Sequence, residues 1–109
     1  MTRDVLGEFE HQVMLALLRL GDDAYSAPIV MELEERSRRS VRSAAVYIVL
    51  RRLEEKGLVS SEMRSPGSEG GRDRRHFTVT DEGLARVREA RATYHRLWDG
   101  LDSVLGETV

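Results

Sequence analysis

Arginines are the residues of this sequence with the clearest chemical potential, and they supply all but one of its 17 basic side chains. Residues 36–78 hold 11 basic and five acidic side chains, a local charge of +6, whereas the rest of the chain carries −8. The net charge of −2 therefore hides a basic middle segment. Because the planar guanidinium group matches phosphate oxygens and base edges, this segment suggests a nucleic-acid surface. A merely solvated arginine-rich face is the alternative that charge alone leaves open.

The remaining side chains do not suggest a catalytic or metal site. His11, His76 and His95 are scattered, with no carboxylate or second histidine at ligand spacing. The sequence has no cysteine, which excludes a disulfide framework, a thiol nucleophile and a cysteine-based zinc finger. The glycine-rich stretch at residues 65–74 lacks the Gly-Lys-Ser/Thr sequence and the helix that follow a phosphate-binding loop. We therefore expect neither an enzyme nor a bound cofactor.

Length and composition indicate one small folded unit. The 109 residues are 40% hydrophobic and 33% charged, which is too hydrophobic for a disordered chain. No apolar run approaches the ~20 residues that cross a bilayer. The first residues also lack the basic and apolar stretches of a secretory signal. A cytoplasmic protein is the resulting expectation.

Three helices are predicted in the first half of the chain. Apolar residues recur at helical spacing over residues 8–20, and Ser26 caps a second helix with Pro28 in its first turn. The third helix runs from a cap at Ser43 to a stop at Gly57. Its outer face has an unusual composition for solvent and a suitable one for a DNA groove: Ala45, Ile48, Arg51 and Arg52.

A β-hairpin is predicted next. Residues 59–64 and 75–79 alternate in polarity, and Phe77 and Val79 point inward on the second strand. The intervening residues 65–74 form a turn-rich tip that ends in arginines. Such a tip has no core to support, so its arginines are candidates for binding.

The last helix is predicted to be longer than a domain of this size can cover. Thr80 caps it, and its apolar residues follow a seven-residue pattern to about Leu105, interrupted by Arg91. A homodimer in which this helix packs across a two-fold axis would cover the stripe, and folding back on its own domain is the alternative. The predicted interface residues are Leu84, Val87, Tyr94, Trp98, Leu101 and Leu105.

The order of the elements predicts the fold class, which is mainly α with a small β-hairpin. Residues 1–80 would form a winged helix-turn-helix domain, and residues 81–109 a C-terminal dimerisation helix. In such a fold the third helix enters the major groove, and the hairpin wing lies along the DNA backbone or the adjacent minor groove. The arginines lie on these two elements, as DNA binding requires.

Several runs along residues 6–83 also occur at characteristic spacings. They are the opening Gly7-Glu8-Phe9-Glu10, the third-helix runs Ser43-Ala44-Ala45-Val46-Tyr47 and Lys56-Gly57-Leu58-Val59, the wing run Gly70-Gly71-Arg72 and the junction Thr80-Asp81-Glu82-Gly83. Together they resemble the PadR-like family of transcriptional regulators. Ala44 departs from the pattern, because the family often has glycine or proline there.

The resemblance implies a homodimeric repressor that binds an inverted-repeat operator and leaves it when an effector binds. In some short members of the family, an aromatic residue on the last helix lines a drug-binding pore. Trp98 and Tyr94 would then stack on a small hydrophobic or aromatic effector, whereas simple interface packing is the alternative. Resemblance and charge together give these DNA-binding residues: Arg42, Ser43, Ala45, Tyr47, Arg51, Arg52, Arg72, Arg74 and Arg75.

Three residues of the third helix have more than one possible role. Arg51 and Arg52 could bind phosphates or read a guanine, and phosphate contacts are the commoner kind. Tyr47 could donate to a phosphate, pack its ring in the core, or do both. The rival function is a winged helix that serves as a protein-interaction module and does not bind DNA. The concentration of arginine on the third helix and the wing argues against this rival.

Overall fold

Helices dominate the computed structural model, which describes residues 5–66 and 70–107, and a two-stranded hairpin separates the third helix from the fourth. This confirms the predicted fold class. A short 3₁₀ turn, Gly21–Asp23, follows the first helix. In chain order the elements are α1 (Glu8–Leu20), α2 (Ser26–Ser37), α3 (Ser43–Glu55), β1 (Val59–Arg64), β2 (Arg74–Val79) and α4 (Asp81–Trp98).

The core forms where the apolar faces of α1, α2 and α3 meet. Apolar residues three and four positions apart lie on one face of a helix, so each helix turns one stripe inward. The hairpin and the start of α4 close the core from one side. Its fully buried side chains are Val13, Met14, Ile29, Val46, Leu50, Leu53 and Leu58.

The hairpin is antiparallel and is attached to the helices at its base. Val59 lies opposite Val79, and Arg64 lies opposite Arg74. The backbone N–H of Phe77 donates to the carbonyl of Ala24 at 2.9 Å, and the Phe77 ring is buried in the core. Residues 67–69 of the predicted tip lie outside the described residues. The predicted strands are confirmed, and β2 begins one residue earlier than expected.

Of the four predicted ends of α3 and α4, two are correct and two are wrong. Thr80 Oγ1 accepts from the backbone N–H of Gly83 at 3.0 Å, so Thr80 caps α4 as predicted. Gly57 has a φ of +76°, and the N–H of Leu58 donates back to the carbonyl of Leu53 at 3.0 Å, which stops α3. The cap at Ser43 is wrong: no side chain caps α3, and Ser43 is its first helical residue.

Ser26 is likewise the first helical residue of α2 and not its cap. The helix starts at the carbonyl of Tyr25, which accepts from the N–H of Ile29 at 3.1 Å. Pro28 lies in the first turn, as predicted. Backbone N–H groups there have no intrahelical acceptor, so the N–H that proline lacks is not missed.

The extension of α4 to Leu105 is also wrong. The helix ends at Trp98, because Asp99 has an extended backbone with ψ of 128° and Gly100 follows with φ of +80°. Glycine adopts positive φ without the steric cost that a side chain brings, so it ends helices readily. Leu101 and Leu105 therefore lie beyond the helix, in a short run of turns. Within the described residues, no helix is long and apolar enough to span a membrane.

Candidate nucleic-acid interface

The outer face of α3 is a line of four exposed residues. Because Val46, Leu50 and Leu53 are buried, the line diametrically opposite them on a helix of 3.6 residues per turn points to solvent. Small, apolar, basic and acidic side chains follow one another along this line. Its members are Ala44, Ile48, Arg51 and Glu55, all of them exposed.

The predicted binding residues of α3 lie on or beside this line, with one exception. Arg42, Ser43, Arg51 and Arg52 are exposed, and Tyr47 is 52% exposed at the edge of the line. Ala45 is half-buried and lies farther from its centre. Ala44 and Ile48 were not among the predicted binding residues. Ile48 follows Ala44 by four residues and Arg51 follows Ala44 by seven, so all three lie on the line.

Two further arginines flank the beginning of α3. Arg38 and Arg39 are exposed in the segment that connects α2 to α3, and Arg38 has a left-handed backbone with φ of 59°. Glu34 fixes this segment, since its carbonyl accepts from the N–H of Arg38 at 2.9 Å and its carboxylate from the N–H of Val41 at 3.0 Å. The positive end of the α3 dipole and these guanidinium groups create an attractive site for phosphate. The predicted residue set omitted both arginines.

Arg75 is held next to α3 by a chain of hydrogen bonds. Its Nη1 donates to Ser61 Oγ at 3.0 Å, and Ser61 Oγ donates to Glu54 Oε2 at 2.6 Å. The chain joins β2, β1 and α3. These hydrogen bonds hold the guanidinium group of Arg75 on the side of the hairpin that faces α3.

Arg74 lies on the other face of the hairpin, because successive side chains of a strand alternate. Its guanidinium carbon is 4.5 Å from the centroid of the Tyr25 ring, a cation–π contact. The His76 ring lies 5.2 Å from the same tyrosine. Arg72 is exposed in the loop before β2. The three predicted wing arginines therefore do not share one face.

An ion pair fixes the far end of α3 against α1. Lys56 Nζ lies 3.0 Å from Glu10 Oε2, and Glu10 Oε1 accepts from the backbone N–H of Gly7 at 2.8 Å. Burial alone would raise the pKa of Glu10, but the Gly7 N–H and the Lys56 ammonium outweigh it and lower this pKa below its ordinary value. The carboxylate is thus charged at neutral pH, and it anchors the end of α3.

No residue in the second half of α4 or in the turns after it is buried in the core of the domain. Every residue from 91 to 107 is exposed. Of the predicted interface residues, Val87 is 8% exposed and belongs to the domain core, and Leu84 is half-buried. The others form an exposed apolar stripe with two residues that the prediction omitted: Tyr94, Leu97, Trp98, Leu101, Val104 and Leu105.

A groove of about 530 Å³ runs between α1 and α4. Leu6 and His11 line one side and Tyr94 and Leu97 the other, whereas Trp98 does not line it. The His11 and Tyr94 rings stack with centroids 6.4 Å apart and planes at 21°. Burial lowers the pKa of His11, so its imidazole favours the neutral form. The groove can accept a flat apolar molecule.

In residues 5–66 and 70–107 no group of three or more histidine, cysteine, aspartate or glutamate side chains could hold a metal ion.

Comparison with known proteins supplies independent findings. Residues 14–89 match the family described as the transcriptional regulator PadR-like family. A crystal structure of a PadR family transcriptional regulator from Eggerthella lenta is 36% identical, with 85% of this chain and 80% of that chain covered and a TM-score of 0.67. A comparison with curated proteins gave no match.

Two more distant structures share the fold. A PadR family transcription regulator from Clostridium difficile is 23% identical and covers 91% of this chain and 99% of its own, with a TM-score of 0.77. A PadR-like transcriptional regulator from Bacillus cereus is 16% identical, covering 92% and 93%, with a TM-score of 0.75. Their similarity extends over nearly the whole described chain, α4 included.

Proposed function

This chain belongs to the PadR-like family of transcriptional regulators, and from that premise we propose that it is a repressor that binds an inverted-repeat operator as a homodimer. The observation that carries the proposal is the placement of exposed arginines. They lie on α3, on the segment before it and on the hairpin, and these are the parts of a winged helix that touch DNA. The acidic groups Glu10 and Glu54 near these elements already have partners within the domain.

In the proposed complex α3 enters the major groove. Arg38, Arg39 and Arg42 lie around its N-terminus, where they bind phosphates on one edge of the groove. Arg75 binds the backbone from the hairpin. Arg51 points from the centre of the outer face toward phosphate or base edges. Such contacts release condensed counterions, so the affinity falls steeply as salt rises.

The homodimer is supported by the exposed apolar residues at the end of α4 and in the turns after it. These residues are stabilised when a second copy covers them, since each large apolar side chain contributes about 1.5–3 kcal/mol on full burial. A two-fold axis through this contact would present two α3 helices to DNA. They would then read half-sites about 34–36 Å apart.

The groove between α1 and α4 is the proposed effector site. It takes a small hydrophobic or aromatic molecule that stacks on Tyr94, and Trp98 follows one turn later on the same helix. Trp98 is the only tryptophan, so its fluorescence reports binding nearby. Titration with the aromatic probe anilinonaphthalene sulfonate should change this fluorescence, and Tyr94→Ala should abolish the change. An unaltered response in the variant would contradict an effector site at Tyr94.

DNA binding is tested by fluorescence anisotropy with the DNA upstream of the protein's own gene, at increasing salt concentration. We expect a steep linear fall of log affinity with log salt. Arg51→Ala should weaken binding, whereas the matched control Arg96→Ala, on the exposed surface of α4, should not. A salt-independent response, or equal behaviour of the two variants, would overturn the proposal in favour of a protein-interaction module.

The dimer is tested by size exclusion with light scattering, which should give twice the chain mass of 12.4 kDa. Leu97→Glu should yield a folded monomer, because Leu97 is 64% exposed in the isolated domain and supports no core. Met31→Glu is the matched control, since Met31 is similarly exposed but lies on α2. A Leu97→Glu protein that stays dimeric would contradict the proposed interface.

A further inference from the structure

We propose that Ile48 contacts the 5-methyl group of a pyrimidine in the major groove and so determines part of the operator preference. The inference rests on the proposed binding of DNA through α3. It adds a specificity-determining residue that charge and motif patterns do not reveal.

Ile48 occupies the centre of the exposed line of α3. It is 57% exposed, with Ala44 one turn before it and Arg51 almost one turn after it. No part of the domain core needs it, because the buried face of α3 is on the opposite side. A β-branched residue at an exposed helix position also favours the helix less than alanine or arginine would. Stability of the isolated domain therefore does not explain this side chain.

The surroundings of Ile48 favour DNA over an apolar protein partner. A single exposed apolar side chain is ordinary on a protein surface, so its neighbours decide the matter. Arg51 and Arg52 follow it at i+3 and i+4 and would be costly to cover with an apolar surface. The large apolar patch lies instead on α4. A negatively charged groove with apolar groups on its floor matches both kinds of side chain.

Pyrimidine methyl groups are such apolar groups. The 5-methyl group of thymine projects into the major groove, where apolar side chains contact it. Removing the surface of one methyl group from water raises the binding affinity about fourfold. Ala44 helps because its short side chain allows a close approach of the helix. The stiff χ1 of isoleucine means that little side-chain freedom is lost on contact.

Thymine and 5-methylcytosine present the same methyl group, so the test has an arm for each source. In the first arm the thymines of the footprinted operator are replaced by deoxyuridine, one symmetric pair at a time, which removes only the methyl groups. In the second arm cytosines are replaced by 5-methylcytosine in the same manner. Affinity is measured by fluorescence anisotropy for the full chain and for Ile48→Ala.

For the wild-type protein, we expect one position at which removal of both thymine methyls weakens binding about fifteenfold, or one at which cytosine methylation strengthens it similarly. Ile48→Ala should bind the unmodified operator more weakly and should not respond to the methyl at that position. Met31→Ala, an equally exposed apolar site on α2, should respond as the wild type does.

Two outcomes would overturn the inference, and they are distinguishable. If the wild type binds the operator but Ile48→Ala responds to every methyl as the wild type does, Ile48 reads no methyl group and the proposed function stands. If the wild type binds no upstream DNA, the proposed function fails and this inference fails with it.

Discussion

Lys56 Nζ and Glu10 Oε2 lie 3.0 Å apart, and this contact joins the end of α3 to the first turn of α1. One residue later on α1, His11 lines the groove against α4. The first turns of α1 thus contact the proposed effector site and the proposed DNA-binding helix α3 at the same time. A change in the position of α1 would therefore alter both the groove and α3.

Replacement of Lys56 by methionine should lower the free energy of unfolding by about 1–3 kcal/mol, because the largely buried Glu10 carboxylate loses a charged partner. Urea denaturation followed by circular dichroism measures the effect. The control is Arg36→Met, which removes an exposed pair with Glu32 at 3.1 Å and should cost under about 1 kcal/mol. Equal losses in the two variants would show that the ion pair of the buried Glu10 stabilises the fold no more than an exposed pair does.

The same carboxylate predicts a loss of stability in acid. The pKa of Glu10 is below its ordinary value of 4.5 in the folded state, so its ionised form stabilises the fold at neutral pH. That contribution is complete above about 4.5 and disappears as the pH falls through the folded pKa. The difference in unfolding free energy between the wild type and Glu10→Gln should therefore shrink below pH 4.5 in urea titrations. A constant difference down to pH 2 would contradict this assignment.

His11 predicts a second pH dependence, in a separate range. Burial lowers its pKa below the ordinary 6.5, so as the pH falls below 6.5 the unfolded chain takes up a proton before the folded one does. The melting temperature should be steady above pH 6.5 and should decrease below it until the folded pKa is reached. His11→Gln should reduce this decrease, whereas the exposed control His95→Gln should retain it. A profile unchanged by His11→Gln would refute the assignment to this side chain.

The split of the wing arginines predicts different effects on DNA binding. Arg75→Ala should lower the slope of log affinity against log salt by about one for each phosphate contact removed. Arg74→Ala should lower it less, because that guanidinium group is held over the Tyr25 ring on the other face of the hairpin. Salt titrations of both variants by fluorescence anisotropy make the comparison. A larger loss for Arg74→Ala would show that the hairpin meets DNA with its other face.

The parts of the fold that follow from local rules were predictable. Val46, Leu50 and Leu53 recur at i, i+4 and i+7, a spacing that by itself indicates the inner face of α3. Gly57 and Thr80 likewise mark the helix ends on either side of the hairpin. Each depends on residues within one or two helical turns. The order of elements then led to the winged helix, since few folds combine three short helices with a basic hairpin.

The errors came from features that compete or that depend on tertiary contacts. The seven-residue apolar pattern continues to Leu105, so it predicted a helix beyond Asp99 and Gly100, where the helix in fact ends. Ile48 was placed on the outer face of α3 but was not selected as a binding residue, since neither charge nor the family resemblance pointed to it. The separation of Arg74 from Arg75 follows from strand alternation once β2 begins at Arg74, one residue before the predicted strand. The contact of Arg74 with Tyr25, which is far away in the sequence, could not be inferred from the wing alone.

Gly83 supports the docking of α4, and its replacement by alanine should be strongly destabilising. A Cβ at this position would lie 2.1 Å from the carbonyl oxygen of Leu58, a backbone atom that cannot rotate away as a side chain can. The first turn of α4 would have to move away from Leu58, at a cost of about 1–3 kcal/mol or more. Gly7→Ala is the matched control, because its Cβ would meet only the Glu10 side chain, with no atom nearer than 3.4 Å. Urea denaturation should show a large loss for Gly83→Ala and a small change for Gly7→Ala. If both variants were equally stable, α4 would not pack against Leu58 as closely as the structure shows.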